Sequence, residues 1–214
     1  MSKEREQDMN ISVEKVICGM IQENAYIAAI PGRDDCVVVD PGDEYPKLER
    51  ALKGRQVGAI LLTHGHFDHI MAAGPLAGAH GAPVYVSEAD MEMLNDAAIN
   101  GYAGLMGGGT CWPRIEAAPY PGGALSVCGL DFAILPTPGH SKGSVCLYLP
   151  DAAALFSGDT LFCCGYGRLD LHGGSSADMA RSLKALFALP GGVRVYPGHG
   201  GATTIGEERA RYSL

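Results

Sequence analysis

The sequence predicts a mixed α/β or α+β domain, built from layers of strands and helices. Short apolar runs bounded by Gly, Pro or Asp predict strands, and amphipathic segments predict helices, through one chain of 214 residues. Hydrophobic residues make up 47% of the chain, which is ample material for a core. We therefore predict a single domain that spans residues 1–214.

Nine segments are predicted to form strands, because many of them are rich in β-branched or aromatic residues and end at turn residues. They are Ile11–Ile17, Tyr26–Ile30, Cys36–Val39, Ala59–Leu62, Pro83–Val86, Asp131–Leu135, Ser144–Leu149, Ala153–Phe156 and Val193–Val195. Four segments predict helices, namely Pro46–Lys53, Ile70–Ala77, a helix from Ser87 toward Ala98, and Ser176–Leu189. Ser87 followed three residues later by Asp90 has the form of a capping box.

Residues 99–123 form a different kind of segment. They contain seven glycines, three prolines and Trp112, which is the single tryptophan of the chain. A loop this long inside a compact domain is usually functional or disordered. We predict a mobile Gly/Pro-rich flap near a site, with a surface excursion as the alternative.

The overall charge argues against two classes of partner. The chain carries 16 Lys+Arg and 24 Asp+Glu, for a net charge of −8. It therefore lacks the basic balance typical of nucleic-acid binding, and anionic membranes would repel it. The polar start, the absence of a long apolar run and seven cysteines without a C-x-x-C pair predict a cytoplasmic protein with reduced thiols. The oligomeric state stays open.

One short segment carries the strongest chemical signal. Directly after an apolar strand, the series His64-x-His66-x-Asp68-His69 places three histidines and an aspartate within six positions. Imidazole and carboxylate groups are ligands for ions such as zinc and iron. His64 and His66 lie two residues apart, so they face the same way in an extended chain, whereas the residues that follow turn into a helix. Four ligands so close together can serve two metals.

Three further candidates also follow predicted strands. His140 and His199 each end a Pro-Gly-His series, and Asp159 follows Gly158. Open sheets place ligand-binding groups at such strand ends. His80 and His172 lack this context, and we expect His80 at the surface or at a helix end.

Together these residues resemble the metallo-β-lactamase superfamily in order and spacing. Within it the chain is most similar to the glyoxalase II-like (hydroxyacylglutathione hydrolase-like) enzymes. The similarity is carried by Thr137–Val145, Phe156–Phe162, Gly165–Arg168 and Gly198–Arg209. The resemblance implies an αββα four-layer sandwich with two mixed β-sheets and metals at one edge. It also implies a short form, because the full-length enzymes carry a C-terminal helical domain after the position of His199.

The resemblance implies a role for each site residue. His64, His66 and His140 would hold one divalent ion, Asp68, His69 and His199 a second, and Asp159 would bridge them, while Asp40 would orient the ligands around it. Zinc is the expected ion, and iron or manganese accept the same ligands. A hydroxide shared by the two metals would attack a small-molecule thioester, such as S-D-lactoylglutathione or a smaller acyl thioester. Asp68 would orient this nucleophile, and Arg168 would bind a substrate carboxylate or tie loops together.

Other functions for the same fold remain as alternatives. A persulfide dioxygenase would use one iron, held by His64, His140 and Asp159. A β-lactamase fits less well, since Asp159 follows Ser157-Gly158 where a cysteine would stand at the second metal site. RNA-processing relatives need a basic surface, and a non-catalytic binding module would usually have lost a ligand.

Overall fold

The computed structural model describes residues 11–108 and 114–212. The first sheet consists of β1 (Ser12–Cys18), β2 (Glu23–Ala29), β3 (Asp35–Val39), β4 (Gln56–Leu61), β5 (Val84–Val86) and β6 (Ala118–Pro119). The second consists of β7 (Ala124–Val127), β8 (Leu130–Pro136), β9 (Val145–Leu149), β10 (Ala154–Gly158), β11 (Arg194–Pro197) and β12 (Thr203–Thr204). The strand orders are β1-β2-β3-β4-β5-β6 and β12-β11-β10-β9-β8-β7, and both sheets mix parallel and antiparallel pairs.

Six α-helices accompany the sheets within the described residues. They are α1 (Tyr45–Leu52), α2 (Phe67–Ile70), α3 (Ala73–His80), α4 (Tyr102–Met106), α5 (Ser176–Leu186) and α6 (Ile205–Arg211). Two 3₁₀ helices, Glu88–Asn95 and Pro150–Ala152, complete the described elements. None of the described helices is long and apolar enough to cross a membrane.

Three apolar cores separate four layers. Leu48 of α1 and Leu76 of α3 pack against the outer face of the first sheet, in a cluster that includes Ile60. Phe132 and Phe156 fill the space between the two sheets. The third core joins α5 and α6 to the outer face of the second sheet, through residues such as Leu183, Ile205 and Leu155. The predicted αββα sandwich is confirmed.

Both faces of the central strands are covered, and the sequence shows why. Every residue of β2 is buried, and four of the five residues of β3 are buried. Such strands read as continuous apolar runs rather than as an alternation. All nine predicted strands are present, with ends that shift by at most three residues, whereas the short strands β6, β7 and β12 were not predicted.

Two of the helix predictions need correction. The segment after Ser87 forms a 3₁₀ helix over Glu88–Asn95, and the Ser87 side chain makes no capping hydrogen bond. The predicted helix Ile70–Ala77 is divided into α2 and α3, because the helical ladder is interrupted at residues 71–72. A true capping box lies elsewhere, where Thr204 and Glu207 satisfy each other's backbone at the start of α6.

The predicted flap contains regular structure. It includes α4 and β6, and the buried ring of Tyr102 packs edge-on against Phe67 at a centroid distance of 5.6 Å. The Tyr120 hydroxyl donates a hydrogen bond to the carbonyl oxygen of Leu62. Trp112 lies outside the described residues. The mobility of this segment stays a prediction.

Candidate metal centre

The loops that follow four strands bring all seven predicted ligands together. His64 and His66 follow β4, and Asp68 and His69 lie on α2 directly after them. The other three residues follow β8, β10 and β11; they are His140, Asp159 and His199. Strands from both sheets therefore contribute to one centre.

The ligands form two groups. The donor atoms of His64, His66 and His140 lie within 4.8 Å of one another, and Nδ1 of His66 is 2.8 Å from Nε2 of His140. The donor atoms of Asp68, His69 and His199 also lie within 4.8 Å of one another. In this second group Asp68 Oδ2 is 3.4 Å from His69 Nε2 and 3.2 Å from His199 Nε2.

Asp159 contacts both groups. Its Oδ2 atom is 3.5 Å from His140 Nε2 in the first group and 3.7 Å from His199 Nε2 in the second. Its Oδ1 atom is 3.4 Å from His69 Nε2. The carboxylate thus occupies the position expected of a ligand shared by two ions.

Several donor atoms of the centre are buried without a partner. In the part of the chain that the structure describes, no hydrogen-bond partner is found for Nε2 of His64, Nε2 of His66, Nε2 of His69 or Oδ1 of Asp159. Leaving a buried polar atom unsatisfied costs about 1–3 kcal/mol, so four at one place need an explanation. Imidazole and carboxylate donors that converge in this way fit divalent metal ions.

The electrostatics of the centre agree with cation binding. Burial, followed by repulsion from His140, lowers the pKa of His66 to about 3, and burial also lowers the pKa of His64. Both imidazoles are therefore neutral near pH 7, as metal ligands must be. Burial acts to raise the pKa of Asp159, but the attraction and hydrogen bonding of His69, together with the attraction of His140 and His199, outweigh it, so the pKa is lowered and the carboxylate stays ionised.

Three groups outside the ligand set orient the imidazoles. Asp40 Oδ2 lies 3.1 Å from Nδ1 of His69, and the same carboxylate accepts hydrogen bonds from the backbone and hydroxyl of Thr63. The Thr63 hydroxyl lies 3.0 Å from Nδ1 of His64. Nδ1 of His140 lies 2.7 Å from the carbonyl oxygen of Arg168. Such partners fix ring orientation and leave the opposite nitrogen free for a metal.

Steric constraints explain why a glycine precedes the histidine in both Pro-Gly-His series. A Cβ atom at Gly198 would lie 2.3 Å from Asp159 Oδ1 and 2.6 Å from His69 Cε1. At Gly139, which has a φ of +148°, a Cβ atom would lie 2.6 Å from the backbone of Met179. Both positions therefore exclude any larger residue.

Two buried carboxylates beside the centre were not predicted from the sequence. Asp90 accepts hydrogen bonds from the backbone of Gly65 (3.1 Å) and Gly143 (2.6 Å), and from the hydroxyl of Ser141 (2.6 Å). It thereby joins the loop of His64 and His66 to the loop of His140. Its signal in the sequence was the spacing that we interpreted as a capping box.

The second missed carboxylate is Glu23. It is fully buried, and its oxygens have no hydrogen-bond partner within the described ranges. One oxygen lies 3.8 Å from Nδ1 of His69. Burial raises the pKa of its carboxyl well above the usual value, because the charged form is disfavoured away from solvent.

A cavity of about 600 Å³ opens beside the ligands. Ile21, Phe67 and Leu105 line it together with Arg168, so a segment of the predicted flap reaches the site. The Arg168 guanidinium forms two hydrogen bonds of 2.7 Å with Asp170 and is exposed to solvent. It therefore ties its own loop while it faces the cavity.

The remaining two histidines lie outside the two ligand groups. His80 is the last residue of α3, as predicted, where Nε2 lies 3.0 Å from Glu49 and Nδ1 accepts from the backbone of Val57. His172 Nε2 lies 3.5 Å from Glu92.

Comparisons with known proteins agree with this geometry. Residues 18–199 match the family model of the metallo-beta-lactamase superfamily. The probable metallo-hydrolase YqgX of Bacillus subtilis (strain 168) is 38% identical over 197 residues, which cover 87% of this chain and 89% of that protein. The crystal structure of the BLEG-1 B3 metallo-beta-lactamase aligns with a TM-score of 0.86 and 36% identity, covering 93% of this chain and 97% of that one. The crystal structure of TTHA1623 in a di-iron-bound form aligns with a TM-score of 0.80 and 39% identity, covering 92% and 97%.

Proposed function

The chain belongs to the metallo-beta-lactamase superfamily, and on that premise we propose that it is a metal-dependent hydrolase of small-molecule thioesters. Its substrate would be S-D-lactoylglutathione or a smaller acyl thioester, as in the glyoxalase II-like enzymes. The observation that carries the proposal is the position of Asp159 between two groups of ligands, in which buried imidazole nitrogens of His64, His66 and His69 have no hydrogen-bond partner among the described residues.

The two groups would hold two divalent ions. The first ion would be held by His64, His66 and His140, the second by Asp68, His69 and His199, with Asp159 shared by both. When bound, two such ions supply a nucleophilic hydroxide at neutral pH and polarise the carbonyl oxygen of the substrate. Zinc is the proposed ion, and the di-iron form of TTHA1623 supports iron as a second candidate.

Residues of the chain itself would orient the reacting groups and form the cavity that binds the substrate. Asp68 lines the cavity, and its Oδ2 atom lies 3.2 Å from His199 Nε2; in this proposal its carboxylate would orient the attacking oxygen. Asp40, together with Thr63, holds the imidazole of His69 in one orientation. A cavity of about 600 Å³ matches the size of small-molecule sites.

Arg168 is the proposed contact for a substrate carboxylate. A guanidinium binds a carboxylate through two parallel hydrogen bonds. Within the chain, the Asp170 carboxylate accepts such a pair from Nε and Nη2 of Arg168. Because this pair is exposed to solvent, exchanging Asp170 for a substrate carboxylate costs little.

One observation favours a second candidate function. The likeness to the BLEG-1 B3 metallo-beta-lactamase, at 36% identity over almost the whole chain, supports hydrolysis of a β-lactam amide. The same two groups of ligands would serve that reaction.

Metal content and substrate preference test the proposal together. Protein purified without chelator is analysed for metal per chain, and then assayed on a panel of thioesters and a chromogenic β-lactam. About two ions per chain and a chelator-sensitive release of thiol are expected. A metal-replete protein that cleaves the β-lactam and no thioester would favour the second candidate. A single iron per chain, with oxygen uptake on a persulfide, would favour the dioxygenase alternative.

A further inference from the structure

Two adjacent cysteines stand side by side in a turn outside the metal centre. Cys163 and Cys164 are both exposed, and their Sγ atoms lie 3.8 Å apart. The backbone amide of Phe162 donates a 2.8 Å hydrogen bond to the carbonyl oxygen of Gly165, which closes the turn. The two thiols therefore sit at the tip of a short, hydrogen-bonded loop and point into accessible space.

A buried carboxylate anchors this turn. Glu208 of α6 accepts a 3.0 Å hydrogen bond from the backbone amide of Cys164, and it also accepts one from the hydroxyl of Thr203. A carboxylate oxygen of Glu208 and the Sγ atoms of both cysteines lie within 4.8 Å of one another. The turn that carries the sulfur pair is thus anchored to helix α6.

The spacing of the sulfurs suits a chelated ion. A bond from zinc to a thiolate is about 2.3 Å long, so tetrahedral geometry places two sulfur ligands about 3.8 Å apart. The Sγ atoms of Cys163 and Cys164 have this separation. Thiolates select soft ions over the harder ions that carboxylates and water prefer.

We propose that Cys163 and Cys164 form a second ion site, which binds one soft, thiophilic ion through two thiolates. Each thiol loses its proton to solvent when the ion binds, and no electron transfer is involved. The site is separate from the histidine ligands, although the turn touches the cavity on its other side. There the ring of Phe162 packs edge-on against His199 at a centroid distance of 6.0 Å.

Cadmium binding to the zinc-loaded protein tests this site. Cadmium bound by thiolates gives an ultraviolet charge-transfer absorption that histidine and carboxylate ligands do not give. The absorption is expected to saturate at one equivalent of cadmium per chain, and to be lost in Cys163→Ser and in Cys164→Ser. Cys128→Ser is the matched control, because that thiol is half-buried and distant in sequence from the pair. An absorption that survives in both single variants, or that disappears in Cys111→Ser, would overturn the proposal.

A reagent that requires two thiols provides an independent measurement. Phenylarsine oxide condenses with two neighbouring thiols, so that two As–S bonds form and one water molecule leaves. We expect one adduct per chain by intact mass, stable to excess monothiol and removed by a dithiol. An adduct that a monothiol removes, or one that forms equally in the Cys163→Ser/Cys164→Ser double variant, would show that the pair does not chelate. Neither measurement depends on the hydrolase activity, so the two proposals can fail separately.

Discussion

His66 and His140 lie 74 positions apart in the sequence, yet Nδ1 of His66 is 2.8 Å from Nε2 of His140. Nδ1 of His140 faces the carbonyl oxygen of Arg168, so in the neutral ring that nitrogen carries the proton and donates. Nε2 of His140 must then accept, and Nδ1 of His66 donates to it. An ion bound between the two rings would take the place of this hydrogen bond, and the single proton of the neutral His66 ring would then reside on Nε2, which has no hydrogen-bond partner within the described residues.

Metal removal is expected to destabilise the protein. Buried, unpartnered imidazole nitrogens gain partners when ions bind, and a ligand present at 100 times its Kd adds about 2.7 kcal/mol to the free energy of unfolding. Thermal unfolding of chelator-treated protein with and without added zinc measures the effect. His140→Gln should lose most of this zinc-dependent rise in Tm, whereas His80→Gln, outside the two ligand groups, should keep it. A Tm that does not respond to zinc would contradict two-ion binding.

Asp90 is expected to support the centre without touching an ion. Asp90→Asn keeps the volume but places an amide NH₂ toward backbone amides that need an acceptor. Losing hydrogen bonds to a charged acceptor should cost about 1.5–3 kcal/mol, and losing the positioning of the loops should weaken metal affinity about 10–100-fold. Denaturant unfolding and zinc titration measure the two effects. Glu88→Gln, exposed on the same 3₁₀ helix, should change neither, and equal effects of both substitutions would disprove this role.

The role of Asp90 could not be predicted from the sequence, whereas most of the metal ligands could. The ligand series is local, since His64, His66, Asp68 and His69 are close in the chain and their chemistry is visible there. The partners of Asp90 lie 25 to 53 positions away, so nothing local separates this carboxylate from a helix cap. Strands buried on both faces could be predicted from apolar runs. The two-residue strands β6 and β12 could not, because segments so short carry no periodicity.

The two candidate helix caps should differ in their contribution to stability. Thr204→Ala removes a side chain that accepts from the backbone of Glu207 and should cost about 1 kcal/mol. Ser87→Ala removes a hydroxyl that makes no capping hydrogen bond and should stay within about 0.5 kcal/mol of the wild type. Urea unfolding of both variants compares them directly. A larger loss for Ser87→Ala would mean that the 3₁₀ segment is capped after all.

Steady-state kinetics can distinguish the two roles considered for Arg168, binding of a substrate carboxylate and tying of its own loop. If its guanidinium binds a substrate carboxylate, Arg168→Ala should raise KM for a carboxylated thioester about tenfold or more and leave an uncharged thioester unaffected. Asp170→Asn frees the same guanidinium and should lower KM for the carboxylated substrate. If Arg168 only ties its loop, Arg168→Ala will change both substrates equally. Steady-state kinetics on a matched pair of thioesters decide between these results.

Exposed cysteine thiols are expected to react faster than buried ones. Burial raises the pKa of Cys18 to about 12 and the pKa of Cys146 to about 11, so at pH 8 both remain protonated and enclosed. A thiol reacts as its thiolate, and these two should become reactive only near their raised pKa values, where the fold itself must open. Cys163 and Cys164 are exposed and should be alkylated by iodoacetamide before Cys18 and Cys146, as peptide mass mapping at pH 8 would show. Alkylation of Cys146 at a rate equal to that of Cys163 in folded protein would mean that the core around β9 and β10 opens far more readily than its packing indicates.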